Sequence, residues 1–232
     1  MKNLAIIPAR SGSKGIKDKN IRELNGKPLI YYSIRQALES EMFDTVMLST
    51  DSEKYGEIGR NSGAEVPFLR SEKTSSDKAS SWDVVAEVLE KYKEIGKRFD
   101  TFMLLQPTSP LRTADDIRKA YKELEEKEAE SVISLCETDS PFQCNTLPGD
   151  LSMDLFISQK AKGKRRQDME KYYKFNGAIY LTHVDFFEKD HNIYRDKCFA
   201  YIMDKLNSID IDDESDFELA EALLFLREKN IH

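Results

Sequence analysis

An α/β fold with a mostly parallel sheet flanked by helices is predicted by three observations. Short apolar runs alternate with longer amphipathic stretches along most of the 232 residues. The runs are bounded by turn formers and are too brief to be helices. The first run, Leu4–Pro8, leads directly into a turn rich in glycine, serine and cations, as a parallel strand does when it delivers its C-terminal end to a ligand crevice. Together these features describe a Rossmann-like layout.

The strands are expected at Leu4–Pro8, Thr45–Thr50, Thr101–Leu105, Ser131–Leu135, Ala178–Leu181 and Phe199–Met203. The helices are expected at Leu29–Ser40, Glu53–Asn61, Trp82–Ile95, Asp115–Lys127 and Glu214–Lys229. In the third helix Val84, Val85, Val88, Leu89 and Tyr92 recur at steps of three and four, which makes one buried face, with Trp82 in the core beside it. Ser80 with Asp83, and Thr113 with Asp116, have the spacing of N-caps; Asp51 is expected to cap the helix that begins at Glu53. Between Thr138 and Lys174 the periodicity fails, prolines and a glycine gather, and the basic cluster Lys162, Lys164, Arg165, Arg166 appears. The domain expectation is therefore a core of residues 1–137 and 175–232, with 138–174 as an inserted element.

The net charge of −7 disfavours nucleic acid or an anionic membrane as a general partner. Cys136, Cys144 and Cys198 form no C-x-x-C pair and His183, His191 and His232 have no zinc spacing, so a reducing, cytoplasmic location is expected. No signal-peptide pattern opens the chain. No apolar run approaches the roughly 20 residues of a membrane span.

Chemistry concentrates in three segments. The stretch LAIIPARSGSKGIKDKN, residues 4–20, holds two glycines, two serines, one arginine and three lysines at a strand end. Small residues there let backbone N–H groups approach phosphate oxygens while Arg10, Lys14, Lys17 and Lys19 supply charge, which points to a nucleoside triphosphate. Neither G-x-x-x-x-G-K-[ST] nor G-x-G-x-x-G is present, so the cradle is neither a P-loop nor a standard dinucleotide fingerprint. The second segment, Gln106-Pro107-Thr108-Ser109-Pro110-Leu111-Arg112, follows a strand, and the side chains of Gln106, Thr108, Ser109 and Arg112 can hydrogen-bond a polar ligand. In the third, Asp210 and Asp212 lie two apart on one side of an extended segment, a spacing that suits one hard cation; Asp213 and Glu214 are left to cap the last helix.

These segments resemble those of the CMP-N-acylneuraminate (CMP-sialic acid) synthetases and related nonulosonic acid cytidylyltransferases, over nearly the whole chain. Residues 8–20 are similar to the family's P-A-R-x-G-S-K-x-x-x-x-K-N loop. LLQPTSPLR, Asn176-Gly177-Ala178-Ile179-Tyr180 and SIDIDDE resemble three further family segments in the expected order. The resemblance implies that Ala9, Arg10, Ser11, Gly12, Ser13, Lys19, Asn20, Arg70 and Ser80 bind CTP. It implies one or two Mg²⁺ ions on Asp210 and Asp212, with Mn²⁺ able to substitute. Gln106, Thr108, Ser109, Arg112, Lys174, Asn176 and Tyr180 would meet the sugar acid. Residues 138–174 would form a homodimer element, with Arg166 and Gln167 serving the partner's site. Arg10, Lys19, Asp210 and Asp212 would be catalytic.

The implied reaction is transfer of CMP from CTP to the anomeric 2-hydroxyl of a nonulosonic acid, N-acetylneuraminate being favoured, with release of pyrophosphate. No histidine falls in any motif, so activation of the hydroxyl by the metal is expected in place of a histidine base. Where the synthetases commonly carry Arg-Pro before Asn-Gly-Ala, this chain has Lys174-Phe175, which keeps the charge and loses the bidentate guanidinium. Pseudaminic or legionaminic acid, and then Kdo, are the alternative sugars. A dinucleotide-binding oxidoreductase and a noncatalytic nucleotide-binding protein are the alternatives of other classes.

Overall fold

A computed structural model of the chain describes residues 1–12, 16–154, 156, 163, 165 and 170–229. In it a six-stranded sheet is built from β1 (Asn3–Pro8), β4 (Thr45–Ser49), β5 (Thr101–Leu104), β6 (Ser131–Thr138), β7 (Tyr172–His183) and β8 (Cys198–Ile202), in the order β4-β1-β5-β7-β6-β8. β1 pairs in parallel with β4 on one side and β5 on the other, and β6 pairs in parallel with β8. β7 alone runs against its neighbours β5 and β6. The chain thus leaves β1 in one direction and returns on its other side, which opens a crevice at the C-terminal ends of β1 and β5.

Helices cover both faces. α1 (Leu29–Ser40), α2 (Glu53–Asn61) and α5 (Ala114–Glu126) pack on one, where Ile30, Ile34, Tyr55, Ile117 and Tyr121 meet Ile7, Leu48, Met103 and Leu181. α4 (Ser81–Glu94) packs on the other, and its five predicted apolar residues are all buried against Leu4, Ile6, Phe102 and Leu104. Burial of each such large aliphatic side chain contributes about 1.5–3 kcal/mol. α7 (Glu214–Lys229) closes a third cluster through Phe217, Ala220 and Leu224, against Leu29, Tyr32, Leu111 and a hairpin of β2 (Glu23–Leu24) and β3 (Lys27–Pro28). The remaining α-helices among the described residues, α3 (Glu72–Ser75) and α6 (Val184–Phe187), are single turns.

The caps fall as predicted at Ser80 and Thr113, each in a reciprocal capping box with Asp83 and Asp116. Asp213 caps α7, its carboxylate accepting from the Asp216 N–H at 3.1 Å, while Glu214 pairs with Arg22. The expectation for Asp51 is corrected. Ser52 caps α2, because its hydroxyl sits one residue nearer the first turn and accepts from the Tyr55 N–H, which leaves the Asp51 carboxylate free to turn toward the cradle.

β6 and β7 run on past their predicted ends. Residues 135–138 and 172–175 pair as a two-stranded ribbon beyond the sheet, where alternation with exposed residues hides the strand from a search for apolar runs. Between the ribbon's ends lie the residues read above as an inserted element. Residues 155, 157–162, 164 and 166–169 of that stretch are outside the described residues, as is the expectation for Lys162, Lys164, Arg166 and Gln167. Ser13 and Lys14 of the cradle are outside them too.

Candidate active site

A cleft of about 360 Å³ opens at the predicted strand edge, lined by Arg10, Lys19, Asn20, Arg70, Thr74, Ser80, Gln106, Thr108, Asp210 and Asp212 among others. Residues more than 190 positions apart in the chain meet here, because the loop after β1, the loop after β5 and the segment after β8 end at the same edge.

The cradle is braced from outside. Asp51, at the end of β4, accepts hydrogen bonds from the Ser11 N–H at 2.7 Å and the Ser11 hydroxyl at 2.8 Å. Buried Asn20 donates to the Arg10 carbonyl at 3.0 Å, tying the two ends of the loop together. Gly12 has φ 76°, a turn that a side chain would strain. Arg10 is held at 2.6 Å from Asp77, a carboxylate on the opposite wall.

That wall, residues 70–80, is fastened to α4. The Glu87 carboxylate accepts from the Ser71 N–H at 2.7 Å, the Ser71 hydroxyl at 2.6 Å and the Thr74 hydroxyl, and pairs with Lys91 at 2.7 Å. Lys91 in turn donates to the Leu69 carbonyl at 2.7 Å. Burial alone would raise the Glu87 pKa, but the hydrogen bonds from Lys91, Ser71 and Thr74 outweigh it and lower the pKa to about 2. Arg70 is anchored by donation to the Ser49 hydroxyl and carbonyl at 2.9 and 2.8 Å, and burial lowers its pKa to about 10.

On the far side, the Ile211 N–H donates to the Thr108 carbonyl at 2.8 Å and Lys19 donates to the Ile211 carbonyl at 2.7 Å. The aspartate segment is thereby locked to both of the other site loops. Asp212 is exposed, whereas one oxygen of Asp210, Oδ1, is buried without a hydrogen-bond partner. Burial pushes the Asp210 carboxyl above the ordinary carboxylate range; the Thr108 hydrogen bond opposes this, the charge of Asp212 adds to it, and Lys19 counters it. A buried carboxylate oxygen with no partner beside a second carboxylate suits a divalent cation. Magnesium takes one or two protein carboxylates and completes its shell with water and phosphate oxygens. Among the described residues no group of three or more acidic, histidine or cysteine ligands forms a closed metal cage.

Three of the predicted ligand-binding side chains point elsewhere. β7 bulges where Ser134 of β6 faces Asn176–Ile179, since the register passes from Ile133↔Tyr180 to Leu135↔Phe175. Arg112, predicted to meet the substrate, is 1 % exposed and donates to the Ala178 carbonyl at 2.8 Å and the Ser33 hydroxyl at 2.6 Å. It satisfies the bulge's backbone. Ser109 is fully buried, and its hydroxyl donates to the Asn176 carbonyl at 3.4 Å. Asn176 is 2 % exposed, and its amide is engaged on every side within the protein. These corrections share one cause: a bulge leaves carbonyls and N–H groups that the sheet ladder cannot pair, and buried polar side chains take them up.

Gln106 and Thr108 do line the cleft, whereas Tyr180 is not among its lining residues and packs edge to face with Trp82 at a centroid distance of 5.6 Å. Burial raises the Tyr180 pKa to about 12, with further contributions from Tyr194 and Asp210. Lys174 is exposed on the ribbon. Asp51, expected as a cap, braces the site instead. Residues not singled out from sequence complete it: Asp77, Thr74 and Glu87 brace it, and only the S-x-x-T spacing of the Ser71 cap signals any of them. Gly177, at φ 72°, is a further one, because a Cβ there would lie 2.7 Å from Gln106 Oε1 and 3.2 Å from Asp210 Oδ2.

An open α/β sheet with a cationic, glycine-bearing loop at its switch point and an aspartate pair across the cleft is a layout that suits a nucleotide phosphate. The chain belongs to the cytidylyltransferase family, whose sequence profile matches residues 4–231. It is 40 % identical over 220 residues to the N-acylneuraminate cytidylyltransferase of Escherichia coli O18:K1:H7, a match covering 94 % of this chain and 51 % of that protein. It thus spans about half the length of that relative. The pseudaminic acid cytidylyltransferase of Campylobacter jejuni serotype O:2 is 35 % identical over 224 residues, with 96 % of each chain covered. The CMP-N,N'-diacetyllegionaminic acid synthase of Legionella pneumophila is 34 % identical over 237 residues, with 99 % of each covered. Among solved structures, CMP:2-keto-3-deoxy-manno-octonic acid synthetase complexed with CTP superposes with a TM-score of 0.73 at 16 % identity, covering 98 % of this chain and all of that one, and it bears out the fold.

Proposed function

We propose that this chain transfers CMP from CTP to the anomeric 2-hydroxyl of a nonulosonic acid and releases pyrophosphate. The observation that carries the reading is the meeting of Arg10, Lys19 and Asn20 with Asp210 and Asp212 across one cleft walled by Arg70 and Ser80. The identity to relatives that bear such names supports it.

In this reading the cradle N–H groups, Arg10 and Lys19 bind the triphosphate and balance charge on the departing pyrophosphate. Triphosphate binding requires Arg10 to exchange Asp77 for a phosphate oxygen. Gln106 and Thr108 orient the acid so that its 2-hydroxyl faces the α-phosphorus in line. Asp210 and Asp212 would hold Mg²⁺, or Mn²⁺, which neutralises phosphate charge when bound.

N-acetylneuraminate is the favoured acid. The polar side chains of Gln106, Thr108 and Tyr180 suit hydroxyl recognition, and a site built to pair a hydroxyl rejects the deoxy analogue by as much as roughly 10⁴-fold. Legionaminate or pseudaminate is the second reading, favoured by relatives of matching length and by the aromatic wall of Trp82, Tyr180 and Tyr194. A panel of pyrophosphate-release assays with CTP and each acid decides between them. A kcat/KM for legionaminate tenfold above that for N-acetylneuraminate would overturn the preference, and no release with any acid would overturn the activity.

The ribbon and the residues beyond it are proposed as a homodimer contact. Exposed Leu147, Leu151, Met153, Tyr173 and Phe175 supply apolar surface that a second copy would cover. A fully active monomer in sedimentation equilibrium at micromolar concentration would reject this. No helix among the described residues is long and apolar enough to cross a membrane.

A further inference from the structure

We infer that Asn176 and Ser208 are positioning residues that set the Asp210–Asp212 segment for its cation, an inference that rests on the functional reading above. The Asn176 side chain has no free valence for a sugar. Its Oδ1 accepts from the Ser134 hydroxyl at 2.6 Å and from the Ala178 N–H at 3.3 Å. Its Nδ2 donates to the Ser208 hydroxyl at 2.9 Å and contacts Met203 Sδ at 3.2 Å. The Ser208 hydroxyl donates onward to the Asp204 carbonyl at 2.7 Å. A continuous, buried chain of hydrogen bonds therefore runs from β6 through the β7 bulge to the residue two positions before Asp210.

The consequence for the carboxylates is geometric. The aspartate segment belongs to no strand, so its position is set by individual contacts: Ile211 buried in the third cluster, the Ile211 carbonyl accepting from Lys19, and the Asp212 N–H donating to Asp216. Ser208 anchors it at one end, and the Ile211 N–H on the Thr108 carbonyl anchors it past Asp210. The residue next to Asn176 is Gly177, whose bare Cα lets Asp210 Oδ2 and Gln106 Oε1 close over it. One dipeptide thus fixes the segment's height through Asn176 and leaves the carboxylate its space through Gly177. Side chains behind a metal's ligands commonly govern affinity in this way, and their loss costs about 10- to 100-fold in metal binding.

The test measures Mn²⁺ binding by electron paramagnetic resonance on the full chain saturated with CTP, together with KM for the acid. Ser208→Ala removes one buried hydroxyl and is the decisive variant; Asn176→Ala is the larger one, and melting temperatures report whether each is folded. The expected result for Ser208→Ala is Mn²⁺ affinity weaker by about 10-fold, with activity recovered by raising Mn²⁺ and KM for the acid unchanged. Mn²⁺ affinity within twofold of wild type overturns the inference, whether or not KM for the acid rises. A wild-type chain that turns over CTP while Ser208→Ala binds Mn²⁺ normally leaves the proposed function standing and removes this role. A wild type with no CTP turnover removes both.

Discussion

Glu87→Gln tests whether the wall of the cleft is held by charge. Glu87 sits on α4, its side chain 15 % exposed, and takes hydrogen bonds from Ser71 and Thr74 and an ion pair from Lys91. Its fall from an ordinary pKa of 4.5 to about 2 corresponds to about 3 kcal/mol in favour of the ionised form in the folded chain. Glutamine keeps part of the hydrogen bonding, so about half of this should be lost at neutral pH, which lowers Tm by about 3–6 °C in a domain of this size. The sign follows from the depressed pKa. The stabilisation is fully present above 4.5 and fades as pH falls toward 2, so the wild-type advantage should be constant from neutral pH to about pH 5 and narrower at pH 3. Because the clamped segment carries Arg70 and Thr74 into the cleft, KM for CTP should rise several-fold with kcat little changed. Thermal melts at both pH values and steady-state kinetics check this. An unchanged Tm at pH 7, or an equal gap at pH 3, would refute the charge-based account of the wall.

Asp212→Asn should lower kcat at least about 100-fold, about 2.7 kcal/mol of transition-state stabilisation, with Tm near wild type because the side chain is exposed. Near-normal turnover at saturating Mg²⁺ would remove it from the metal site. Arg10→Ala should raise KM for CTP and lower kcat together, while Lys17→Ala, at an exposed position outside the cleft lining, should do neither; equal, small effects would place the phosphates elsewhere. Gly177→Ala should cost about 1–2 kcal/mol from its left-handed backbone alone, read as a Tm lower by about 2–8 °C, and should also depress kcat by displacing Gln106 and Asp210. Wild-type kcat in that variant would show that the cleft tolerates the methyl group.

The one-dimensional pattern was enough for whatever depends on neighbours along the chain. Helices Leu29–Ser40, Glu53–Asn61 and Glu214–Lys229 match their predicted bounds, and the caps at Ser80, Thr113 and Asp213 follow local spacing. Arg10, Lys19, Asp210 and Asp212 could be singled out because a strand-end cation loop and an alternating carboxylate pair are local motifs. What only the tertiary structure decided is which polar side chains face the cleft. Arg112, Ser109 and Asn176 share the hydrogen-bonding chemistry of Gln106 and Thr108, but a bulge in β7 exposes backbone groups that only buried side chains can satisfy, and those three are drawn inward. The fastening of the 70–80 wall by Glu87 and the bracing of Ser11 by Asp51 belong to the same class. Each joins residues on different elements, and such a hydrogen bond records no trace of its partner in the pattern of either segment alone.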